Sequence, residues 1–204
     1  WRISELDKYN LVSFSDMHSM YPWRMGREAT LFDINLNYKE LIKAIRTKDG
    51  YKGTIEVDPG YGKYHWDGHR NCNVVFSPKE TTKHKGICPV CKKPLTIGVD
   101  YRVEELADRP VGYKPKEYTP YKTIIPLGEL ISLHLERGIM TKGVSTILDN
   151  LFAKLGSEYN ILLNSKKEDL EKEIDPKLVS LILRNRKGNI ETKPGYDGVY
   201  GVPL

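Results

Sequence analysis

The sequence predicts an α+β protein in which a bound metal orders the middle of the chain. Apolar runs that suit strands and amphipathic stripes that suit helices occupy most of the 204 residues. Residues 60–95 differ, because they hold all three cysteines and few aliphatic side chains, too few to build a hydrophobic core. Three cysteines cannot all pair, so this usage favours a reducing compartment, which we expect to be the cytoplasm, and a metal site.

The net charge of +5 is concentrated in one stretch of the chain. Residues 63–93 contain seven Lys or Arg and two acidic residues, which leaves the rest of the chain neutral. A local basic excess indicates a polyanionic partner, although an ordinary solvated surface would show the same charge. No run approaches the ~20 apolar residues that a membrane helix needs, so we expect no membrane partner.

Local patterns predict the elements in order. The apolar run 11–15 predicts a buried strand. Capping boxes, in which a polar side chain precedes Glu by three residues, predict two helix starts, at Asn37 and at Ser77. Further strands are predicted at 31–35 and 54–57, and further helices at 142–155 and after Asp175.

The spacing of His and Cys residues predicts a structural zinc site. An H-x-x-C at 69–72 and a C-x-x-C at 88–91 are separated by fifteen residues, and each short spacing turns two ligands toward one ion. Thiolates and imidazole suit tetrahedral Zn²⁺, and a site filled by four protein ligands is structural rather than catalytic. The predicted ligands are His69, Cys72, Cys88 and Cys91.

Two alternatives to this ligand set stay open on the sequence alone. His65 and His84 lie close enough along the chain to replace His69 as the fourth ligand. Three reduced cysteines without any metal are the other alternative.

Asp16 and His18 form a second candidate site. They follow the first predicted strand, and the strand period of two would put both side chains on one face. A carboxylate and an imidazole can ligate a metal or act as an acid–base pair, whereas a purely structural role is the common alternative.

Several long blocks of the sequence resemble one known family. Residues 15–19 (SDMHS) resemble the last metal-binding motif of the PHP (polymerase and histidinol phosphatase) domain. Five further blocks resemble archaeal endonuclease Q and its bacterial relatives: 22–28 (PWRMGRE), 62–72 (GKYHWDGHRNC), 86–98 (GICPVCKKPLTIG), 102–109 (RVEELADR) and 194–201 (PGYDGVYG).

The resemblance implies a fold and a domain order. Residues 1–58 would be the C-terminal remnant of a PHP (β/α)7 barrel, 59–112 a small zinc-knuckle domain, and 113–204 a mostly helical C-terminal domain. Asp16 and His18 would be catalytic ligands of a PHP centre that holds Mg²⁺, Mn²⁺ or Zn²⁺. The remaining PHP ligands, beginning with an H-x-H, are absent from this sequence, so we expect a fragment that is inactive alone.

The resemblance also implies a function. The parent protein would be a metal-dependent DNA repair endonuclease that nicks DNA 5′ of deaminated bases (uracil, hypoxanthine, xanthine) or of abasic sites. Its partners would be lesion-containing DNA, the missing N-terminal PHP portion, and DNA replication or repair proteins. Candidate DNA contacts are Arg24, Arg27, Tyr64, His65, Trp66, Arg70, Lys79, Lys83, Lys85, Lys92, Lys93, Tyr101 and Arg102.

Two other readings of the same residues remain open. The chain could be a non-enzymatic zinc-stapled module that binds nucleic acid or a partner protein, or a structural zinc domain that docks helices onto an enzyme. A preference for binding damaged DNA would distinguish the repair endonuclease from both of these alternatives.

Overall fold

The computed structural model describes residues 1–18 and 25–203 and has the predicted mixture of α and β structure. No helix within these ranges is long and apolar enough to cross a membrane. In chain order the elements are a 3-10 turn (Ser4–Lys8), β1 (Ala29–Phe32), α1 (Tyr38–Thr47), β2 (Tyr51–Glu56), a 3-10 turn (Pro59–Tyr61), β3 (Asp67–His69), a 3-10 turn (Arg70–Cys72), β4 (Val74–Phe76), α2 (Pro78–Lys83), α3 (Val99–Leu106), β5 (Tyr121–Thr123), α4 (Leu127–Leu135), α5 (Lys142–Leu155), a π-helical turn (Asn160–Asn164), α6 (Lys167–Leu170), α7 (Pro176–Arg186), β6 (Thr192–Lys193) and β7 (Val202–Pro203).

The chain divides into two compact units. The cysteine unit comprises Trp1–Leu11, Asp58–Thr119 and Glu191–Leu204, and the helical unit comprises Val12–Val57 and Pro120–Ile190. The chain passes from the helical unit into the cysteine unit after Val57, next to the predicted boundary at residue 58. However, the first and last segments of the chain both belong to the cysteine unit. The division into three domains stays a prediction.

A three-stranded sheet, in the order β1-β2-β5, lies in the helical unit. β1 pairs antiparallel with β2, and β5 pairs with β2 in parallel. Gly53 permits the second pairing, because a side chain there would begin 2.3 Å from the carbonyl oxygen of Pro120. Its φ of +131° also favours glycine.

The predicted helix starts are supported by capping contacts. The side chain of Asn37 accepts a hydrogen bond from the backbone N–H of Glu40 at 2.9 Å, and α1 follows. The carboxylate of Asp175 accepts hydrogen bonds from the first turn of α7. The core of this unit is aliphatic and fully enclosed: Leu127, Leu130, Ile131, Val144, Leu151, Ile161, Leu162, Leu170, Leu178, Val179 and Ile182.

The predicted buried strand at 11–15 is wrong. This segment has no strand structure, and Leu11 and Phe14 are 53% and 59% exposed. The physical reason is the lack of a backbone ladder. Ser13 exchanges hydrogen bonds with the Thr30 hydroxyl and donates one to the Glu56 carboxylate. The Ser15 hydroxyl accepts a hydrogen bond from the Gly26 N–H. The remnant of a PHP barrel therefore stays a prediction.

The cysteine unit contains two small antiparallel ladders, β3–β4 and β6–β7. α2 begins with the predicted capping box, in which the Ser77 backbone N–H and hydroxyl both donate to the Glu80 carboxylate. The N-terminal segment is held by a bidentate ion pair from Arg2 to Glu104. The hydrophobic core of the cysteine unit is small, so buried apolar surface contributes little to its stability.

Asn185 provides a stability test for the helical unit. This buried side chain accepts a hydrogen bond from the Ile125 N–H at 2.8 Å and donates one to the Ile125 carbonyl at 3.0 Å. Asn185→Ala would orphan both buried groups, so we expect the free energy of unfolding to fall by about 2–4 kcal/mol. Urea unfolding followed by circular dichroism measures the loss.

The matched control is Asn189→Ala, which removes an exposed amide from the same region. It should leave the unfolding midpoint unchanged. Equal midpoints for both variants would show that the Asn185 bridge does not stabilise the unit.

Candidate metal centre and nucleic-acid surface

The first ligand pair lies where one strand turns into the next. His69 is the last residue of β3, and Cys72 ends the 3-10 turn that follows. Asn73 then adopts a left-handed conformation (φ +51°), and β4 pairs back so that Val74 lies opposite His69. The H-x-x-C spacing is thereby folded over a single turn.

The second ligand pair lies in a tight turn of its own. The Cys88 N–H donates to the Lys93 carbonyl at 2.8 Å, and the Lys92 N–H donates to the Cys88 carbonyl at 3.0 Å. Lys92 takes a left-handed conformation (φ +62°) that lets the chain reverse directly after Cys91. Both thiols are thus presented from one short loop.

The structure brings all four predicted ligands together. The ligand atoms of His69, Cys72, Cys88 and Cys91 lie within 4.8 Å of one another. The Cys91 Sγ lies 3.4 Å from the His69 Nδ1. With Zn–S bonds of about 2.3 Å, tetrahedral ligand atoms stand about 3.7 Å apart, so the cluster fits a zinc ion with little movement.

The rival histidines do not join the cluster. Among the described residues this is the one group of three or more His, Cys, Asp or Glu side chains close enough to hold a metal. The His84 ring instead stacks on Phe76, with 4.6 Å between ring centroids.

The surroundings of the cluster separate the thiols by acidity. Burial would raise the pKa of Cys88, but hydrogen bonds from the backbone of Cys91 and Val90 and from the neighbouring thiols outweigh it and lower that pKa to about 6. Burial raises the pKa of Cys72 to about 11, and its hydrogen bonds to the other two thiols act in the same direction. Backbone donors therefore stabilise a thiolate at Cys88, the form that ligates metals.

Exposed basic side chains lie near the four ligands in the sequence. The exposed predicted contacts in the cysteine unit are Tyr64, Arg70, Lys79, Lys83, Lys85, Lys92, Lys93 and Arg102. Arg102 pairs with Glu105 at 2.9 Å, which reduces the charge that it offers. The Lys92 Nζ donates to the Pro89 carbonyl at 2.8 Å. Exposed lysines can neutralise phosphates, whereas half-buried side chains contribute to packing.

The other predicted contacts are less open. His65, Trp66 and Tyr101 are half-buried in the cysteine unit, and Arg27 is half-buried in the helical unit. Arg24 lies outside the described residues.

Asp16 and His18 are described but do not lie on a strand, which corrects the argument that one face presents both. Asp16 is in a left-handed conformation (φ +41°), and its carbonyl oxygen lies 2.7 Å from the His18 Nδ1. A donor bond at Nδ1 leaves Nε2 open as a ligand. Both side chains are exposed, 90% for Asp16 and 83% for His18, so the pair remains accessible to a metal.

Comparisons with known proteins identify several similar chains. A family model described as the MJ0043 C-terminal domain matches residues 126–189. Uncharacterized protein MJ0043 of Methanocaldococcus jannaschii is 36% identical over 205 residues, which covers 98% of this chain and 26% of that protein. Uncharacterized protein YqxK of Bacillus subtilis is 29% identical over 203 residues, covering 98% of this chain and 48% of YqxK.

Two solved structures also match this chain over almost its full length. The lesion-specific endonuclease PfuEndoQ of Pyrococcus furiosus superposes with a TM-score of 0.88 and 29% identity over 99% of this chain and 50% of that one. An endonuclease Q complex with a 27-mer duplex carrying an abasic lesion at its active site gives a TM-score of 0.83 and 28% identity, over 99% and 51% of the two chains. The chain resembles endonuclease Q. The resemblance predicted from the sequence blocks is therefore confirmed.

This chain spans about half the length of the endonuclease Q structures. It spans between a quarter and a half of the curated relatives that it matches.

The tail block that resembles endonuclease Q supports the metal cluster, a role that sequence reasoning missed. The Tyr196 ring packs on Gly68, where a side chain would begin 2.5 Å from that ring, and its hydroxyl donates to Asn73. The Asp197 carboxylate accepts hydrogen bonds from the Arg70 N–H and from a threonine hydroxyl. The tail thus holds both sides of the turn that carries His69 and Cys72.

Metal analysis tests the ligand set. We expect one zinc ion per chain, and Co²⁺ substitution should give the absorption bands of thiolate ligation. Loss of a residue that only contacts a ligand lowers metal affinity by about 10–100-fold. Cys88→Ser and His69→Ala remove ligands, so each should weaken metal binding by more than this. Competition with a chromophoric chelator measures the affinity.

His65→Ala and His84→Ala are the matched controls, because each removes a nearby imidazole outside the cluster. Both should retain the metal. If either control variant lost the metal while His69→Ala kept it, the assignment of His69 as the fourth ligand would be wrong.

Proposed function

We propose that this chain is part of a lesion-specific DNA repair endonuclease. The observation that carries the proposal is the match to PfuEndoQ over 99% of this chain. The reaction proposed for the parent protein is nicking on the 5′ side of deaminated bases (uracil, hypoxanthine, xanthine) or of abasic sites. The endonuclease Q complex with an abasic duplex supports the choice of substrate class.

The share of this work done by the cysteine unit is DNA binding. A structural Zn²⁺ at His69, Cys72, Cys88 and Cys91 would order the loops that carry the basic residues. Lys79, Lys83, Lys85, Lys92 and Lys93 would then contact phosphates, which positions the duplex without reading its sequence. A damaged pair costs less to open than an intact one, which favours access to the lesion.

Asp16 and His18 are proposed as two ligands of the catalytic metal centre of the parent protein. Their donors, an exposed carboxylate and an imidazole with Nε2 open, suit Mn²⁺, Zn²⁺ or, through the carboxylate, Mg²⁺. A metal bound there would polarise the phosphodiester. Two ligands do not complete such a centre, so the chain alone is expected not to nick DNA.

The remaining proposals concern the setting of the parent protein. An N-terminal PHP portion would supply the other ligands, and the three-domain arrangement would join it to the zinc-binding and helical parts. The protein would work in the cytoplasm on DNA, alongside replication or repair proteins.

A second function is a non-enzymatic module that binds nucleic acid or a partner protein. The observation that favours it is the make-up of the metal cluster. His69, Cys72, Cys88 and Cys91 supply four protein ligands, so the cluster leaves no position for a reacting water.

Binding to damaged DNA separates these functions. Fluorescence anisotropy of the zinc-loaded chain would use matched duplexes with deoxyinosine, deoxyuridine or no lesion, at two salt concentrations. We expect tighter binding to the lesions and a log–log salt slope of about −0.9 for each phosphate neutralised. Lys79→Gln with Lys83→Gln should make that slope shallower, whereas Lys154→Gln with Lys177→Gln on the helical unit should not.

Equal, salt-sensitive binding to all three duplexes would favour the second function. Absence of binding would contradict both DNA-binding proposals.

Nicking by a longer protein that includes the PHP portion tests the catalytic ligands. Asp16→Asn and His18→Gln should each slow nicking by about 100-fold or more, because metal stabilisation of the transition-state charge is lost. DNA affinity should stay within error. A gel assay with a labelled deoxyinosine duplex measures the rate.

Asp33→Asn and His84→Gln, which change an exposed carboxylate and an exposed imidazole elsewhere, are the controls. Unchanged nicking by the Asp16 and His18 variants would remove these residues from the catalytic centre.

A further inference from the structure

We propose that an exposed aromatic and basic surface on the cysteine unit binds unpaired nucleotides of single-stranded DNA. This inference rests on the proposed DNA-binding function and assigns a subsite within it. The surface consists of Lys63, Tyr64, Arg70 and Tyr200, and we call it the tyrosine platform.

One lysine is shared by two exposed tyrosine rings. The Lys63 Nζ lies 5.6 Å from the centroid of the Tyr64 ring and 5.8 Å from that of the Tyr200 ring. Tyr64 is 46% exposed and Tyr200 is 66% exposed, so neither ring serves mainly as core packing. Both rings therefore keep open surface on which a flat partner can stack.

A tight turn in the tail builds the other side of the platform. Tyr196 and Val199 exchange backbone hydrogen bonds of 3.0 and 2.7 Å around Asp197 and Gly198, which both have positive φ values (+41° and +86°). Asp-Gly is the pair that such a type I′ turn prefers. The Gly198 N–H also donates to the Lys63 carbonyl at 2.8 Å, which fixes the turn against the lysine.

The absence of a side chain at Gly198 leaves space for Arg70 beside Tyr64. A methyl group on Gly198 would lie 3.3 Å from the Arg70 Nη1 and 3.7 Å from the Tyr64 hydroxyl. The guanidinium and the phenol are thus neighbours on one surface.

The positive charge of the platform is available to a ligand. Within the described part of the chain, neither Lys63 nor Arg70 has a carboxylate oxygen within ion-pair distance. The nearby Asp197 carboxylate is engaged with the Arg70 backbone N–H and the Thr96 hydroxyl. The charge of Arg70 still helps to lower the pKa of Asp197, so it is partly balanced, and Lys63 supplies most of the charge that can neutralise phosphates.

This combination of chemistry fits single strands better than duplexes. Aromatic rings stack on any base whose face is open, and interleaved cations follow the phosphate backbone. A duplex offers phosphates but covers the faces of its bases. A strand opened next to a lesion would present both groups to the platform.

The test measures anisotropy of the zinc-loaded chain with a labelled oligothymidine of about 12 nucleotides, within the usual site size, and with a duplex of the same length. Tyr200→Leu and Tyr64→Leu should each weaken single-strand binding about 10-fold and duplex binding much less. Lys63→Gln should make the single-strand salt slope shallower by about 0.7. Tyr200→Phe keeps the ring and should keep the affinity.

Tyr38→Leu and Lys39→Gln are the matched controls, a tyrosine and a lysine that are adjacent and exposed on α1. Retained zinc content and circular dichroism would show that each platform variant is folded. If the wild-type chain binds the single strand and the folded Tyr64→Leu and Tyr200→Leu variants bind it equally well, the platform is overturned but the proposed function is not. A wild-type chain that binds neither probe would overturn both.

Discussion

The convergence of His69, Cys72, Cys88 and Cys91 on one point is the constraint on which the cysteine unit depends. The apolar cluster around it contains Val74, Leu95 and the partly buried Phe76 besides the cysteines, which is too little burial to order so many loops. A bound zinc ion would contribute the missing folding energy, as it does in other small domains whose metal-free chains are unfolded. The lowered pKa of Cys88 indicates that the loop is already arranged to stabilise a thiolate.

The tail transmits this order to the surface proposed to meet DNA. Tyr196 and Asp197 hold the turn that carries two ligands, and the same turn places Gly198 beside Arg70 and Tyr64. The four-residue metal-ligand cluster, the tail and the tyrosine platform therefore form one connected arrangement within the cysteine unit. Loss of a bound metal would therefore disturb the positions of the platform residues, although none of them is a ligand.

Short-range chemistry was predictable from the sequence, whereas long-range pairing was not. The C-x-x-C spacing and the capping boxes involve residues within a few positions, so their geometry is local and the structure agrees. The apolar run 11–15 was predicted as a strand, but an extended run becomes a strand only with a paired neighbour. The contacts of Asp197 with Arg70 and of Asn185 with Ile125 join distant positions, and no periodicity signals them.

Hydrogen–deuterium exchange with and without a strong zinc chelator tests the central claim most directly. If a metal orders the cysteine unit, its removal should speed exchange in residues 58–119 and in the tail from 191 onward. The helical unit, with its enclosed aliphatic core, should keep its protection at 127–186. Unchanged exchange around the four ligands after the metal has been removed would show that the cysteine unit is held by its own packing, and would contradict the claim.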